Sequence, residues 1–119
     1  MSRVLTSIAA FLLIGCQSFA EERRLGEREI QDLLNNAEVL AADESWRQTF
    51  DPGGETLYLS KGSRPSFGRW RVRAPGAYCS LWPPQDVWTC YSVDYDVDSG
   101  RITWTASNGD PSVGYLVSD

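Results

Sequence analysis

Alternating apolar and polar residues recur in short stretches along most of the chain after residue 38. This period of two is typical of strands that bury one face. The clearest stretch is 67–73, where Trp70 and Val72 share one face and three arginines occupy the other. Turn residues, as in 51–54 and 108–111, separate the stretches. The predicted strands are 39–41, 46–50, 55–59, 67–73, 77–82, 88–95, 101–106 and 113–117.

The segment before these strands, 27–37, has apolar residues at helical spacing. Glu27 and Glu29 suit a helix N-terminus, and Asn35-Asn36 predicts its end. The apolar residues with helical spacing are Ile30, Leu33, Leu34 and Ala37. One helix followed by about six to eight short strands predicts a mainly β (α+β) fold. We expect an antiparallel meander, either packed on the helix or curled into a small barrel.

The first twenty residues have the organisation of a secretory signal. Arg3 precedes an apolar run, 4–14, which is shorter than the roughly 20 residues that span a bilayer. Small residues and then the charged stretch 21–24 follow this run. The sequence therefore predicts a signal over 1–20, a polar lead over 21–26 and a single small domain over 27–119, exported to the periplasm or outer membrane or, alternatively, secreted.

Two processing sites fit this signal. Residues 13–16, Leu-Ile-Gly-Cys, resemble the lipobox of bacterial lipoproteins, in which Cys16 is acylated and becomes the new N-terminus. Residues 18–20, Ser-Phe-Ala, resemble an ordinary site with cleavage after Ala20. A lipid-anchored domain is expected from the first site and a free one from the second, so Cys16 is either an anchor or part of a discarded leader.

Charge and cysteine usage narrow the class of protein. Sixteen acidic residues against eleven basic ones give a net charge of −5, which argues against binding to nucleic acid or to anionic lipid. Membrane contact is therefore expected only through a lipid anchor. Cys79 and Cys90 form an even pair in an exported chain, which predicts a disulfide. A redox or metal-binding pair is disfavoured because the spacing is not Cys-x-x-Cys and the chain has no histidine.

Several motifs occur in an order that resembles a group of small exported proteobacterial domains of unknown function. They are the helix motif at 29–34, Trp46 with Phe50, and the segments 68–72 (Gly-Arg-Trp-Arg-Val), 78–82 (Tyr-Cys-Ser-Leu-Trp) and 90–93. The resemblance covers nearly all of the chain after the signal. It implies a fold and a compartment but no activity, and the group supplies no catalytic residue to transfer.

Candidate catalytic chemistry is sparse. Without histidine, neither a Ser-His-Asp nor a Cys-His arrangement is available. Asp94, Asp96 and Asp98 imitate the start of a calcium loop, but Gly100 comes one place late and Thr105 stands where the bidentate Glu belongs. We favour a solvent-facing row of carboxylates, and we predict no catalytic residue, no metal and no cofactor.

The most promising binding surface is the loop between the two cysteines. Trp82 and Trp88 flank Pro83-Pro84-Gln85-Asp86, and we expect Gln85 and Tyr91 to join them in contacting a ligand. The alternative is that the two tryptophans only pack against neighbouring residues and contact no ligand. In contrast, Trp70 and Trp104 lie on apolar alternating faces and are predicted to be interior.

A second candidate surface is the arginine face of 67–73. Arg69, Arg71 and Arg73 could bind a carboxylate or phosphate, since guanidinium groups bind both bidentately. The favoured alternative is a solvated face whose charges pair with Asp94 and Asp96 on a neighbouring strand.

These features favour a non-catalytic cell-envelope domain that binds a protein, a glycan or a lipid. An inhibitor of an extracytoplasmic hydrolase is the alternative, and a carboxylate-dependent hydrolase is a third class supported only by unplaced Asp and Glu residues.

Overall fold

A computed structural model describes residues 22–118 of the chain. The predicted signal, Cys16 and both processing sites lie outside the described residues. One helix, α1 (Glu27–Leu34), lies near the start. The strands are β1 (Arg23–Arg24), β2 (Glu38–Leu40), β3 (Trp46–Phe50), β4 (Glu55–Ser60), β5 (Ser66–Arg73), β6 (Ala77–Leu81), β7 (Thr89–Asp96), β8 (Arg101–Ala106) and β9 (Pro111–Leu116).

Strands β2 to β9 form a closed antiparallel barrel in which each strand pairs with the next along the chain. The last strand closes the barrel on the first, with Tyr115 opposite Leu40 and Leu116 opposite Val39. Closure gives each of the eight strands a partner on both sides and removes the exposed edges of an open sheet. The predicted mainly β fold with one helix is confirmed, and of the two predicted arrangements the structure has the barrel.

Helix α1 closes one end of the barrel. The Glu27 N–H donates to the Pro75 carbonyl in the β5–β6 turn, at 2.8 Å. Just after the helix, the Asn36 N–H donates to the Phe50 carbonyl at the end of β3, at 2.9 Å. Ile30 and Leu34 are fully buried, so the apolar face of the helix points into the barrel. This end is therefore sealed by side chains.

The barrel interior next to the helix is a packed core. Phe50 meets Trp70 and Tyr78 edge-on, with ring centroids 5.7 and 6.0 Å apart. Val93 and Ile102 are fully buried beside them. Trp70 and Trp104 are 3% and 6% exposed, which confirms that both are interior. A ligand could therefore enter the interior only from the end opposite the helix.

The polar lead is part of the fold, although the sequence placed the start of the domain at residue 27. Arg23 and Arg24 pair with Tyr95 and Asp94 of β7, at the part of β7 that extends past the first residue of β6. The Arg24 guanidinium donates to the Asp94 carboxylate at 3.0 Å. Leu25 is 3% exposed and belongs to the core. Two arginines carry no alternation signal, so this strand was not predictable from its own sequence.

The disulfide between Cys79 and Cys90 is present, as predicted. The two residues are directly opposite each other on β6 and β7. They lie on the outer wall of the barrel, since their neighbours Tyr78 and Tyr91 point inward. A structural disulfide indicates an oxidising, non-cytoplasmic location.

An aromatic cup at the open end of the barrel

The end of the barrel opposite the helix holds a cavity of about 370 Å³ that is open to solvent. We call this cavity the cup. Strands β3, β5, β7 and β9 start at this end, and β4, β6 and β8 finish there. The cup is lined by Trp46, Gln48, Tyr58, Tyr78, Ser80, Trp82, Tyr91, Trp104, Ser112 and Val113.

Six of these ten lining residues are aromatic, and their rings form two groups of three in mutual contact. Tyr78 lies at the centre, with ring centroids 6.1 Å from those of both Tyr91 and Trp104. Tyr58 bridges Trp46 and Trp82, at 5.6 and 6.4 Å. Rings at these distances attract one another beyond the effect of burial alone. The cup is thus a surface of aromatic faces and edges held in place by mutual contact.

Neutral hydrogen bonds hold two polar side chains of the cup, Ser80 and Gln48. The Trp82 indole N–H donates to Ser80 Oγ at 3.2 Å. Gln48 Nε2 donates to Thr56 Oγ1 at 2.9 Å. Buried polar networks of this kind are rigid when their members are satisfied. The cup therefore presents fixed polar groups between its rings.

The cup is uncharged. None of the ten side chains that line it in the described part of the chain carries a formal charge at neutral pH. Burial raises the pKa of the Tyr78 phenol well above its ordinary range, so this hydroxyl remains protonated. The Trp104 indole N–H is buried and has no hydrogen-bond partner among the described residues. A ligand with a full charge would lose its hydration here without gaining an opposite charge.

Two strand glycines make room for the tryptophans of the cup. A methyl group on Gly68 would lie 2.6 Å from Trp82 Cε3 and 2.8 Å from the Leu81 carbonyl oxygen. A methyl group on Gly114 would lie 2.8 Å from Trp46 Cη2 and 2.5 Å from Val39 Cγ1. Glycine inside a strand often marks such a close approach. This signal was available in the sequence, but the partner side chains could not be named from it.

We expect Gly68→Ala to displace Trp82 and to lower the free energy of unfolding by about 1–3 kcal/mol, since the added methyl overpacks the wall of the cup. Intrinsic tryptophan fluorescence should shift to the red as the Trp82 ring becomes more exposed. Urea denaturation followed by circular dichroism measures the stability change. Gly53→Ala is the matched control, because its methyl would meet only the flexible Asp51 carboxylate. Equal effects of the two substitutions would contradict the close packing of Trp82 against Gly68.

The loop predicted to be one binding surface is divided between two faces of the barrel. Trp82 and Tyr91 line the cup, as part of the interior. Trp88 lies on the outer wall, where the Arg71 guanidinium carbon is 3.9 Å from the centre of its ring. Gln85 is exposed, and its backbone N–H donates to the Trp82 carbonyl. The two tryptophans therefore do not share a surface. Trp82 continues the inward-facing positions of β6 past its end, whereas Trp88 precedes β7 in line with the outward-facing Cys90.

The arginine face of β5 points outward, as the alternation predicts, and Arg69, Arg71 and Arg73 are exposed. Their expected pairing with Asp94 and Asp96 is wrong. Strand β5 lies between β4 and β6, whereas both aspartates are on β7, one strand further away. Arg71 instead makes the cation–π contact with Trp88, which at an exposed site is worth about 0.5–1 kcal/mol.

The prediction of a solvent-facing row is wrong for Asp96, and the three aspartates have separate surroundings. Asp94 accepts hydrogen bonds from Arg24. Asp96 is 3% exposed and accepts hydrogen bonds from the Asp98 N–H and the Ser99 hydroxyl, which shapes the turn into β8. Asp98 is exposed. Across residues 22–118, no group of three or more His, Cys, Asp or Glu side chains is placed to hold a metal ion.

Comparison of the chain with protein-family models, curated proteins and solved structures found no match. In the described range, no helix has the length and apolar character needed to cross a membrane.

Proposed function

We propose that this domain is a non-catalytic binding module of the cell envelope that takes a small uncharged ligand with a ring into the cup. The observation that carries the proposal is a cavity walled by six aromatic rings, with neutral, hydrogen-bonded polar side chains among them. Binding sites are typically concave and mostly apolar, with a few placed polar groups. The cup has this composition.

The size of the cup supports a ring-sized ligand. Cavities that hold drug-sized molecules are about 300–1,000 Å³, and the cup, at about 370 Å³, is near the lower limit. Its depth is limited by the core, where Phe50 and Ile102 fill the interior towards the helix. An acyl chain would need a longer apolar channel, so a compact molecule that combines an apolar face with hydroxyl or amide groups suits the cup better.

The proposed place of action is the periplasm or the outer membrane. The disulfide agrees with an oxidising compartment, and the signal-like segment at 1–20 supports export. Acylation at Cys16 would tether the domain to a membrane through the N-terminus, since a lipobox precedes that residue. In the fold, the chain enters the barrel at the helix-closed end, so such a tether would leave the cup free to face the ligand.

Trp82→Ala should weaken ligand binding by at least about tenfold, because it removes one aromatic wall and the donor to Ser80. Trp88→Ala is the matched control, since Trp88 is on the outer wall. Binding is measured by ligand-observed NMR with neutral methyl glycosides, indole and simple phenols. Thermal unfolding of both variants separates loss of binding from loss of fold.

Two outcomes would contradict the proposal. One is that a compound binds equally well to the Trp82→Ala protein and to the unsubstituted protein. The other is that no compound of the panel, at millimolar concentration, shows a change in its own NMR signals in the presence of the folded and disulfide-bonded protein.

A further inference from the structure

A second depression adjoins the cup at its rim. It has a volume of about 610 Å³, is more open than the cup and is lined by Tyr58, Pro65, Ser66, Phe67, Trp82 and Pro83. We call the part that does not belong to the cup, Pro65 to Phe67 with Pro83, the ledge. The Phe67 side chain is 70% exposed, although its neighbours in the depression include two prolines and two aromatic rings. Pro65 and Pro83 are exposed beside Phe67, so the three form an apolar patch, and such patches mark contact surfaces.

The cup and the ledge share a wall. Tyr58 and Trp82 line both depressions, and their rings meet nearly perpendicularly, with centroids 6.4 Å apart. A molecule in the cup and a molecule on the ledge would therefore both contact Tyr58 and Trp82. This continuity makes the two depressions adjacent parts of one site.

We propose that the ligand is a neutral oligosaccharide, with its terminal sugar ring in the cup and the next sugar unit on the ledge against Phe67. The inference rests on the proposed function of the cup and extends it from a single ring to a chain. A pyranose ring has an apolar face and a rim of hydroxyl groups. Those two features match the aromatic rings of the cup and its neutral side chains Gln48, Ser80 and Ser112.

Charge favours a neutral glycan over an acidic one. No charged side chain is among the residues that line either depression in the described structure. The exposed arginines of β5 share the outer face of that strand with Phe67, but they line neither the cup nor the ledge. A uronic acid or phosphorylated sugar in the cup would thus be desolvated without a counter-charge.

The barrel geometry disfavours a peptide. Extended peptides commonly bind by adding a strand to an exposed sheet edge. Each of the eight barrel strands is already paired on both sides, so the rim offers ring faces and side-chain polar groups rather than a row of unpaired backbone groups. These are the groups that bind a sugar and not those that bind an extended main chain.

One experiment tests both the effect of oligosaccharide length on affinity and the contribution of the ledge. Isothermal titration is performed on the oxidised protein with neutral oligosaccharides of one to five units, built from hexoses, N-acetylhexosamines and pentoses. We expect a ligand of two or more units to bind roughly three- to tenfold more tightly than the corresponding methyl glycoside, because the second unit gains the Phe67 contact. Phe67→Ala should remove this gain and leave the affinity of the methyl glycoside unchanged.

Val97→Ala is the control for an exposed apolar residue. Val97 is 74% exposed and lies in the β7–β8 turn, at the helix-closed end of the barrel, so oligosaccharide binding should be unchanged. Equal affinity of methyl glycosides and oligosaccharides would overturn the chain proposal and leave the cup proposal standing. Binding of indole or a phenol with no binding of any sugar would also overturn it. A proline-rich peptide that binds in a Phe67-dependent way, when no glycan does, would assign the ledge to a peptide instead.

Discussion

Phe50→Ala lowers the free energy of unfolding by about 3–5 kcal/mol, as is usual for an aromatic residue removed from a core. Phe50 is 1% exposed and meets both Trp70 and Tyr78 edge-on. Its carbonyl also accepts the hydrogen bond from Asn36 that follows the helix. Removing the ring leaves a cavity between the helix and the aromatic core. Urea denaturation followed by far-ultraviolet circular dichroism measures the loss.

Phe67 provides a matched control, because it is the same residue type on the surface. Phe67 is 70% exposed, so Phe67→Ala should change the free energy of unfolding by no more than about 0.5 kcal/mol. A small effect at Phe50, comparable to that at Phe67, would show that the barrel core is not packed as described. The same pair separates folding from binding, because Phe67 lies on the ledge and Phe50 lies below the cup.

Tyr78 connects the core to the cup. Its ring lies 6.0 Å from that of Phe50 and 6.1 Å from those of the cup residues Tyr91 and Trp104. The cup therefore continues the packed interior towards the open end of the barrel, and it is walled by strand residues rather than formed by loops. Sites supported by packed strands hold their geometry better than sites on loops, which reduces the entropy lost on binding.

The helix and strands β2 to β9 were predictable because their signals are local. The alternation in 46–50 and 101–106 predicted two strands whose observed bounds are the same. Period-two and helical patterns depend only on neighbours in the chain, and turn residues delimit them. The sequence could not choose between an open meander and a barrel, because closure depends on β9 pairing with β2, some 75 residues apart along the chain, at Tyr115 and Leu40.

The cup was predictable only in part. Trp82 and Tyr91 were identified from the aromatic composition of the disulfide loop, and both line the cup. Trp46 and Tyr58 were missed as site residues because their role depends on which strands become neighbours. Trp88 was grouped with Trp82 since both flank one loop. A disulfide across two strands cannot show which face each flanking residue presents.

Replacing both cysteines, as Cys79→Ala with Cys90→Ala, should lower the free energy of unfolding by about 3 kcal/mol. The bond joins residues 11 positions apart and so restricts the unfolded chain over that loop. Cys79 is also fully buried, so its loss removes packing on the outer wall. Guanidinium denaturation of the double variant and of the oxidised protein measures the difference.

Dithiothreitol supplies the control for this prediction. It should lower the stability of the unsubstituted protein towards that of the double variant and leave the double variant unchanged, since alanine has no thiol to reduce. The loop inside the ring contains Trp82, so loss of the bond should also weaken ligand binding by freeing one wall of the cup. Two free thiols in the intact mass of protein isolated from an oxidising compartment would refute the disulfide, and with it this mechanism for holding the cup open.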